Sequence, residues 1–233
     1  EINSEFDRNN YQIIQSLDEL TQWKIKAESI GYVAFDTETN SLNAVEADMV
    51  GFSLCTSEND ACYVPLLHEE NDKQIDFDQA ISILKSILED NGIKKILHNM
   101  KFDALVVDKY DINIKNYDDT MLMSYSIGSG GIRHKLDTLI KYYFDHDAIS
   151  FKDLTGSGKD KKTFQELTIK EAGKYAAEDA DMTLRLWKIF KSSMVQDKQV
   201  KIYEIIEKPL TQVILNMEKH GIAIDVNKLN ELS

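Results

Sequence analysis

Short apolar runs separated by polar turns dominate the first part of the chain after residue 30. Residues 32–36 (YVAFD), 49–55 (MVGFSLC) and 61–66 (ACYVPL) are rich in β-branched and aromatic residues, which favour strands. Because polar, turn-forming residues lie between these runs, the pattern predicts a meander of three strands. In residues 77–90 the apolar side chains recur three and four positions apart, which predicts an amphipathic helix.

The pattern becomes mostly helical beyond this point. Residues 94–99 (KKILHN) predict one more short strand. Five helices are predicted after it. The first begins near Lys101, the second covers TMLMSYSI after Asp119, and the third spans 135–144. The fourth runs from about Thr168 to Met194, and the fifth covers VKIYEIIEKPLTQVILNMEKHG. The last of these is expected to bend or break at Pro209 and to end at Gly221. The order β-β-β-α-β-α, followed by helices, predicts a mixed α/β sheet with a helical second half.

The composition is that of a globular protein of one large or two small domains. Hydrophobic residues make up 42% of the 233 residues and charged residues 29%, with only two Pro and ten Gly, so a mainly disordered chain is excluded. No apolar stretch approaches the roughly 18 residues of a bilayer span, and residues 1–30 are too polar for a signal peptide. We therefore expect a soluble, cytoplasmic chain with no membrane partner. Because it starts at Glu1 and stops at Ser233 within an apparent helix start, we expect a fragment.

Cysteine content and charge exclude several functional classes. Two cysteines cannot build a disulfide framework or a four-thiolate zinc site. Cys55 and Cys62 flank a turn and could face each other on a hairpin, although a reduced, packed pair is the favoured interpretation. The formal net charge of −13 argues against a protein that wraps polyanions. An acidic protein can still act on nucleic acid if its carboxylates hold divalent cations, which present positive charge to phosphate.

Three short segments carry the candidate chemistry. Asp36 and Glu38 lie two positions apart at the end of an apolar strand, so the period of two points both to one face. Asp103 follows the strand KKILHN, where a strand meets a helix, and Tyr175 and Asp179 share one face of the long helix. Each segment alone also has a structural interpretation. The first two acids could cap the strand and face water, Asp103 could belong to an ordinary helix start, and the last pair could form a surface hydrogen bond.

Taken together and in this order, the segments resemble a known superfamily. DTET at 36–39, NMKFD at 99–103 and YAAEDAD at 175–181 are similar to the three exonuclease motifs of the DEDD nucleases, in the subtype with Tyr four residues before the last Asp. The resemblance extends along nearly the whole chain to the proofreading domains of bacterial family A DNA polymerases, and includes DTMLMSY at 119–125. It implies a ribonuclease H-like fold, with a mixed sheet flanked by helices and the acids at one edge.

The resemblance also implies a mechanism. Phosphodiester hydrolysis in this superfamily uses two divalent cations about 4 Å apart, Mg²⁺ or Mn²⁺, for which hard oxygen ligands are suited. By the family pattern, Asp36 would bridge both ions, Glu38 and Asp179 would complete one site, and Asp103 would hold the second ion through water. Tyr175 would orient the attacking water together with Glu38.

The resemblance implies five substrate contacts as well. Leu42 and Phe151 would pack against the terminal bases, Asn99 and Arg133 would contact the strand, and Thr39 would lie beside the metal pair. The structural alternatives are an ordinary loop contact for Leu42, a core aromatic for Phe151 and a surface charge for Arg133.

Two further features of the sequence bear on substrate contacts. The segment 152–162 has four Lys against two Asp, so it could meet phosphate or form a solvated loop. His98 stands where the family pattern usually has Gln. The expected contact between the adjacent Asn99 and the nucleic-acid strand is therefore less firmly implied by the resemblance.

The expected function is that of a 3′ to 5′ exonuclease domain over residues 1–197, followed by the helical start of a polymerase portion over 198–233. Its substrate would be a single-stranded or frayed DNA 3′ end, which it would degrade to 5′-mononucleotides. Its partner would be the polymerase domain of the same full-length chain. The alternatives are a free-standing RNA 3′ exonuclease of the same superfamily and a catalytically inactive structural module of a polymerase. The presence of all four acids argues against the inactive module.

Overall fold

The computed structural model describes residues 5–128, 131–158 and 161–232. Within these ranges the strands are β1 (Gln12–Ile13), β2 (Tyr32–Thr39), β3 (Met49–Ser57), β4 (Asp60–Pro65), β5 (Lys94–Leu97) and β6 (Tyr117–Asp119). They form a single mixed sheet in the order β1-β4-β3-β2-β5-β6. The pairs β2–β3 and β3–β4 are antiparallel, and the pairs β1–β4, β2–β5 and β5–β6 are parallel. The predicted three-stranded meander is confirmed.

Helices cover both faces of the sheet. They are α1 (Leu17–Ile30), α2 (Phe77–Leu88), α3 (Met100–Asp108), α4 (Thr120–Ser126), α5 (Leu136–Phe144), α6 (Phe151–Thr155), α7 (Ile169–Gln196), α8 (Val200–Ile202), α9 (Lys208–His220) and α10 (Val226–Leu232). Single 3₁₀ turns occur at Arg8–Asn10 and Phe164–Glu166. Helices α1, α2 and α3 share one buried core with one face of the sheet, and α4, α5 and α7 pack on the other face.

The pleat of β2 divides its side chains between these two cores. Val33 and Phe35 belong to the core with α3, and Ala34 belongs to the core with α7. Because side chains alternate along a strand, Asp36 and Glu38 continue the row of Ala34 and Thr37 continues the row of Phe35. The two acids therefore lie on the same face, as predicted.

The two cysteines also follow this alternation. Cys55 pairs with Ala61 across the β3–β4 ladder, and Cys62 pairs with Leu54. The cysteines therefore point to opposite faces of the sheet, where both are buried and free. The prediction of reduced, packed cysteines is confirmed, whereas a pair facing each other on the hairpin is excluded.

The helix that was expected to bend or break at Pro209 continues through this residue, but it is irregular just before it. A π-helical turn spans Tyr203–Glu207, and it is closed by the Lys208 N–H donating to the Tyr203 carbonyl. Proline lacks an N–H and its ring clashes with the carbonyl four residues earlier, here that of Ile205 within the turn. Helix α9 ends at Gly221, whose φ of 64° lies in the left-handed region that glycine adopts without strain.

The segment after α7 packs back on the body of the molecule. Tyr203 and Leu215 are buried, and Lys219 pairs with Asp108 at 2.6 Å. The boundary after residue 197 stays a prediction. Among the residues that the structure describes, no helix is long and apolar enough to cross a membrane.

Candidate active site

Three of the predicted acids come together at the end of β2. Oxygen atoms of Asp36, Glu38 and Asp179 all lie within 4.8 Å of one another. Glu38 and Asp179 are buried, at 7% and 9% exposure, and Asp36 is half-buried. Such a group of carboxylates, largely withdrawn from water, is the donor set that a hard divalent cation prefers.

Small side chains on α7 bring Asp179 to the strand. Gly173, Ala176, Ala177 and Ala180 are buried on the face of α7 that lies over the sheet. A Cβ at Gly173 would lie 3.0 Å from the Ile13 side chain of β1, so even an alanine there would be crowded unless Ile13 shifted. The small residues near Asp179 therefore allow α7 to pack closely on the sheet.

A bulge shapes the other side of the cluster. The register between β2 and β3 shifts between Glu38 and Thr39, so Thr39 pairs with Met49. Bulges of this kind bend a strand and redirect its side chains, and they occur often beside active sites. Thr39 donates through its hydroxyl to the Ser41 carbonyl at 2.8 Å, which fixes the turn that follows the acids.

Burial raises the pKa of each acid in the cluster, and the charges of neighbouring acids raise the pKa values of Glu38 and Asp179 further. Desolvation raises the pKa of Asp36 to about 7. Desolvation also raises the pKa of Glu38, with further contributions from the charges of Asp36 and Asp179, and the same two causes act on Asp179 through Asp36. Glu38 Oε1 is buried with no hydrogen-bond partner among the described residues. A bound cation would satisfy this oxygen and offset the repulsion, so the residues present fit a metal site.

The fourth acid, Asp103, is close to the cluster but held separately. It is 1% exposed, and its Oδ1 accepts hydrogen bonds from the backbone N–H and the hydroxyl of Thr37 at 3.0 and 2.7 Å. Desolvation raises its pKa, and the charge of Asp36 raises it further. Thr37 thus links Asp103 on α3 to the strand that carries Asp36 and Glu38. The structure gathers three of the four acids into one group and places the fourth across the strand.

Tyr175 lies one turn before Asp179 and beside its carboxylate. Its hydroxyl lowers the pKa of Asp179, although burial keeps that pKa raised overall. Desolvation and the charges of Asp179 and Glu38 raise the pKa of Tyr175 well above its usual value. The phenol therefore stays protonated at neutral pH and can donate a hydrogen bond next to the acids.

An aromatic group forms one wall of the site. The ring centroids of Phe151, Phe164 and Tyr175 lie 6.0–6.3 Å apart. Phe164 is buried and supports the other two, whereas Phe151 is 37% exposed. Phe151 is therefore not a fully enclosed core aromatic, and part of its ring is accessible to a ligand.

The acids open into a cleft of about 500 Å³. Its lining includes Asp36, Glu38, Thr39, Leu42, Phe102, Phe151, Lys161, Lys162, Phe164, Tyr175 and Asp179. Leu42 is 91% exposed at its edge. Lys161 and Lys162 of the basic segment line the cleft, whereas Lys159 and Asp160 of that segment lie outside the described residues. The cleft thus has acids at its base and apolar and cationic groups at its rim.

Asn99 and Arg133, the two polar residues predicted to contact the nucleic-acid strand, do not line this cleft. Asn99 lies in a neighbouring hollow of about 320 Å³, which Leu42 and Phe102 also line. Arg133 is exposed, is absent from the lining of the cleft, and makes no hydrogen bond or ion pair with a described residue. Thr39, Leu42 and Phe151 therefore line the same cleft as the acids, and Asn99 lines the neighbouring hollow. Arg133 lines neither of them.

Asp119 is a supporting residue that was not singled out from the sequence. Its buried carboxylate accepts backbone hydrogen bonds from Asn99, Met100, Met121 and Leu122 at 2.9–3.4 Å. It therefore ties the start of α3, which carries Asp103, to the start of α4. The signal available in the sequence was an Asp directly before a helical segment, the pattern of an N-cap.

His98, which departs from the family pattern, faces protein groups. Its Nδ1 lies 2.8 Å from the Thr120 hydroxyl and its Nε2 lies 3.0 Å from the His134 carbonyl. Burial lowers its pKa to about 4, so the ring is neutral at physiological pH. His98 thus joins β5 to the segment that precedes α5.

Comparison with known proteins places this geometry in context. A sequence model of a family described as a 3′-5′ exonuclease matches residues 11–195. DNA polymerase I of Rhizobium leguminosarum is 40% identical over 247 residues, which cover 98% of this chain and 24% of that protein. This chain therefore spans about a quarter of the length of that curated relative.

Solved structures share the fold. The POL domain of Pol1 from M. smegmatis, in complex with DNA primer-template and dNTP, superimposes with a TM-score of 0.74 at 18% identity, covering 95% of this chain and 34% of that chain. Escherichia coli RNase D, an exoribonuclease involved in structured RNA processing, gives a TM-score of 0.66 at 20% identity, covering 89% and 51%. The predicted fold class, a ribonuclease H-like mixed sheet flanked by helices, is confirmed.

Proposed function

This chain belongs to the 3′-5′ exonuclease family, and from that premise we propose that it hydrolyses single-stranded or frayed DNA from the 3′ end to 5′-mononucleotides. We further propose that it is the proofreading part of a DNA polymerase I, whose polymerase domain would be its partner in the same chain. The observation that carries the proposal is the buried cluster of Asp36, Glu38 and Asp179, beside a protonated Tyr175.

The acids are suited to two divalent cations, Mg²⁺ or Mn²⁺. Asp36, Glu38 and Asp179 would hold one ion, and Asp36 with Asp103 would hold the other. When bound, such ions supply hydroxide from water at neutral pH and stabilise the leaving oxygen. The unpartnered Glu38 Oε1 and the raised pKa values of the acids support this assignment.

Tyr175 and Glu38 would orient the attacking water. Because the Tyr175 hydroxyl keeps its proton, it can donate a hydrogen bond to an oxygen near Asp179. Glu38 would accept a hydrogen bond from the same water through the carboxylate oxygen that does not bind the ion. This positioning contributes to rate by restricting the reacting groups to a productive geometry.

The rim of the cleft favours unpaired bases. Phe151 and Leu42 offer apolar surface on which a base can stack, worth about 1–3 kcal/mol per base for an aromatic partner. Lys161 and Lys162 would meet backbone phosphate despite the acidic total charge. A narrow cleft does not admit a duplex, so a paired end must first melt, at about 1.4 kcal/mol per base-pair step.

A single cleavage assay distinguishes the candidate functions. Labelled single-stranded DNA and RNA of the same sequence would be incubated with the chain in Mg²⁺ and in EDTA, with the Asp36→Ala variant as control. We expect DNA to be shortened from its 3′ end in Mg²⁺ only, and only by the wild type. Faster cleavage of RNA would favour the RNA exonuclease, and no cleavage of either strand would indicate an inactive module.

A further inference from the structure

Glu178 precedes the candidate catalytic Asp179 but points away from the cleft. It is 1% exposed, and three donors surround its carboxylate. Oε1 accepts from Arg8 Nε at 2.7 Å and from His146 Nε2 at 2.8 Å, and Oε2 accepts from the backbone N–H of Ile149 at 2.8 Å. A buried carboxylate with this set of partners is fully paired, so it serves as a fixed anchor.

Two of the donors belong to one irregular loop, residues 145–150. This loop joins α5 to α6 and has no regular secondary structure. Arg8 adds a second tie to it, because its guanidinium donates to the Asp147 carbonyl at 3.1 Å. The ring of Phe6 also stacks on His146, with centroids 3.8 Å apart. Lys141 of α5 also pairs with Asp145 and Asp147, at 2.9 and 3.1 Å, at the exposed start of the loop. The contacts of His146 and Ile149, closer to α6, converge on Glu178 and on the N-terminal segment that Glu178 holds.

The loop leads directly into Phe151, the first residue of α6. Ile149, which donates to Glu178, is two residues before Phe151, and Ser150 between them is the N-cap of α6. At the other end of the connection, Phe151 lies against Tyr175, which is on the same helix as Glu178. Helix α7 thus fixes the Phe151 ring by two routes, one through the aromatic contact and one through the Glu178 carboxylate.

We propose that Glu178 is a positioning residue for the substrate, which holds the loop 145–150 so that the Phe151 ring faces the 3′-terminal base. The proposal rests on the proposed function, in which Phe151 contacts that base. Glu178 does not touch substrate and acts through Phe151. The paired motif Glu178-Asp179 would then serve both halves of the site, with one acid on the phosphate side and its neighbour setting the base side.

Substitution by glutamine separates this role from simple loss of volume. Glutamine has a single acceptor oxygen, whereas Glu178 uses one oxygen for Arg8 and His146 and the other for Ile149. A glutamine can serve only one of these sets, and its amide nitrogen would face a donor at the other. Glu178→Gln should therefore loosen the loop while keeping the shape of the side chain.

Asp181 supplies a matched control on the same helix. It is also fully buried and is bound by Arg185 at 2.8 and 3.0 Å, by the Tyr11 hydroxyl at 2.8 Å and by the Asn59 N–H at 3.2 Å. None of its described partners lies in residues 145–150. Its partner Arg185 lies 3.9 Å from the centroid of the Phe6 ring, so this variant perturbs the N-terminal segment while leaving the Glu178 hydrogen bonds in place. Asp181→Asn should lower the melting temperature without changing recognition of the 3′ end, because the proposal assigns the positioning to Glu178.

The test is a double-mutant cycle on the full 233-residue chain. KM and kcat for a single-stranded oligonucleotide would be measured for the wild type, Glu178→Gln, Phe151→Ala and the double variant, with melting curves for each. The charge of Glu178 also raises the pKa of Asp179. Because the loss of this charge is the same with Phe151 and with Ala at position 151, its effect on KM cancels in the cycle. Glu178→Ala would be carried through the same cycle as the larger perturbation.

We expect Glu178→Gln to raise KM about 5-fold or more in the wild type and less than about 2-fold in the Phe151→Ala background. Asp181→Asn should leave KM within about 2-fold of the wild type. If Phe151→Ala raises KM and both Glu178 variants act equally in the two backgrounds, or leave KM unchanged, the positioning role is wrong and the proposed function stands. If Phe151→Ala itself leaves KM unchanged, the base contact and the positioning role are both wrong.

Discussion

The metal-free protein should become more stable when Asp36 is replaced by Asn. Burial raises the pKa of Asp36 from 3.8 to about 7, so the ionised carboxyl is disfavoured in the folded state. A raised carboxyl pKa means that the folded state binds its proton more tightly than the unfolded state between these two values. Unfolding therefore releases protons, and stability falls as the pH rises from about 4 to about 7.

The size of the effect follows from the two pKa values. At pH 7 and above, the ionised group costs the folded state at most about 4 kcal/mol, and at pH 4.5 the cost is about 1 kcal/mol or less. Asp36 also raises the pKa values of Glu38, Asp103 and Asp179, so removing its charge relieves them as well. We expect Asp36→Asn to gain about 2–4 kcal/mol in EDTA at pH 7.5, or about 4–16 °C in melting temperature for a domain of this size.

Melting curves in EDTA and in Mg²⁺, at pH 4.5 and pH 7.5, test this expectation. Asp48→Asn is the control, because a hydrogen bond from Lys109 lowers the pKa of this exposed acid and its replacement should bring no gain. In Mg²⁺ the wild type should melt at a higher temperature than Asp36→Asn, because the wild type is stabilised by binding the ion and the variant lacks one of the ligands. An unchanged or lower melting temperature for Asp36→Asn in EDTA at pH 7.5, or an equal gain at both pH values, would show that the ionised Asp36 carboxylate does not destabilise the metal-free protein.

Three further outcomes are expected from cleavage assays on single-stranded DNA. Asp179→Ala should lower kcat by about 10³-fold or more, because it removes a carboxylate from the cluster, and a variant that keeps more than about a tenth of the wild-type rate would contradict the metal assignment. Tyr175→Phe should lower kcat about 10- to 100-fold, because the orienting hydroxyl is lost and every carboxylate remains, and an unchanged rate would remove Tyr175 from the site. A single strand should be degraded faster than the same strand in a matched duplex, and the difference between the two rates should shrink as the temperature approaches that at which the duplex melts. Equal rates on both substrates would show that the paired end need not melt before cleavage.

Local periodicity predicts which side chains of the site share a face within each element. The alternation along β2 placed Asp36 and Glu38 on one face, and the helical repeat placed Tyr175 and Asp179 together on α7. Both inferences depend only on the geometry of one element. The family resemblance then joined the two elements, which no pattern within either of them could do.

Features that depend on contacts between elements were not predictable in this way. Thr37 holds Asp103 because α3 and the face of β2 opposite Asp36 happen to meet there, and nothing local to either residue indicates this. Strands β1 and β6 have only two and three residues, too short to show any periodicity. The position of Arg133, exposed and apart from the cleft lining, likewise follows from tertiary packing.

We propose that the carboxylates at the end of β2 direct hydrolysis of DNA from its 3′ terminus. The most direct measurement follows an oligonucleotide that carries one label on its 3′-terminal nucleotide and a second label at its 5′ end, incubated with the chain in Mg²⁺. We expect the 3′ label to be released first, as a 5′-mononucleotide, and Asp36→Ala to release none. Early release of the 5′ label, products that carry a 3′-phosphate, or equal release by Asp36→Ala would contradict this proposal.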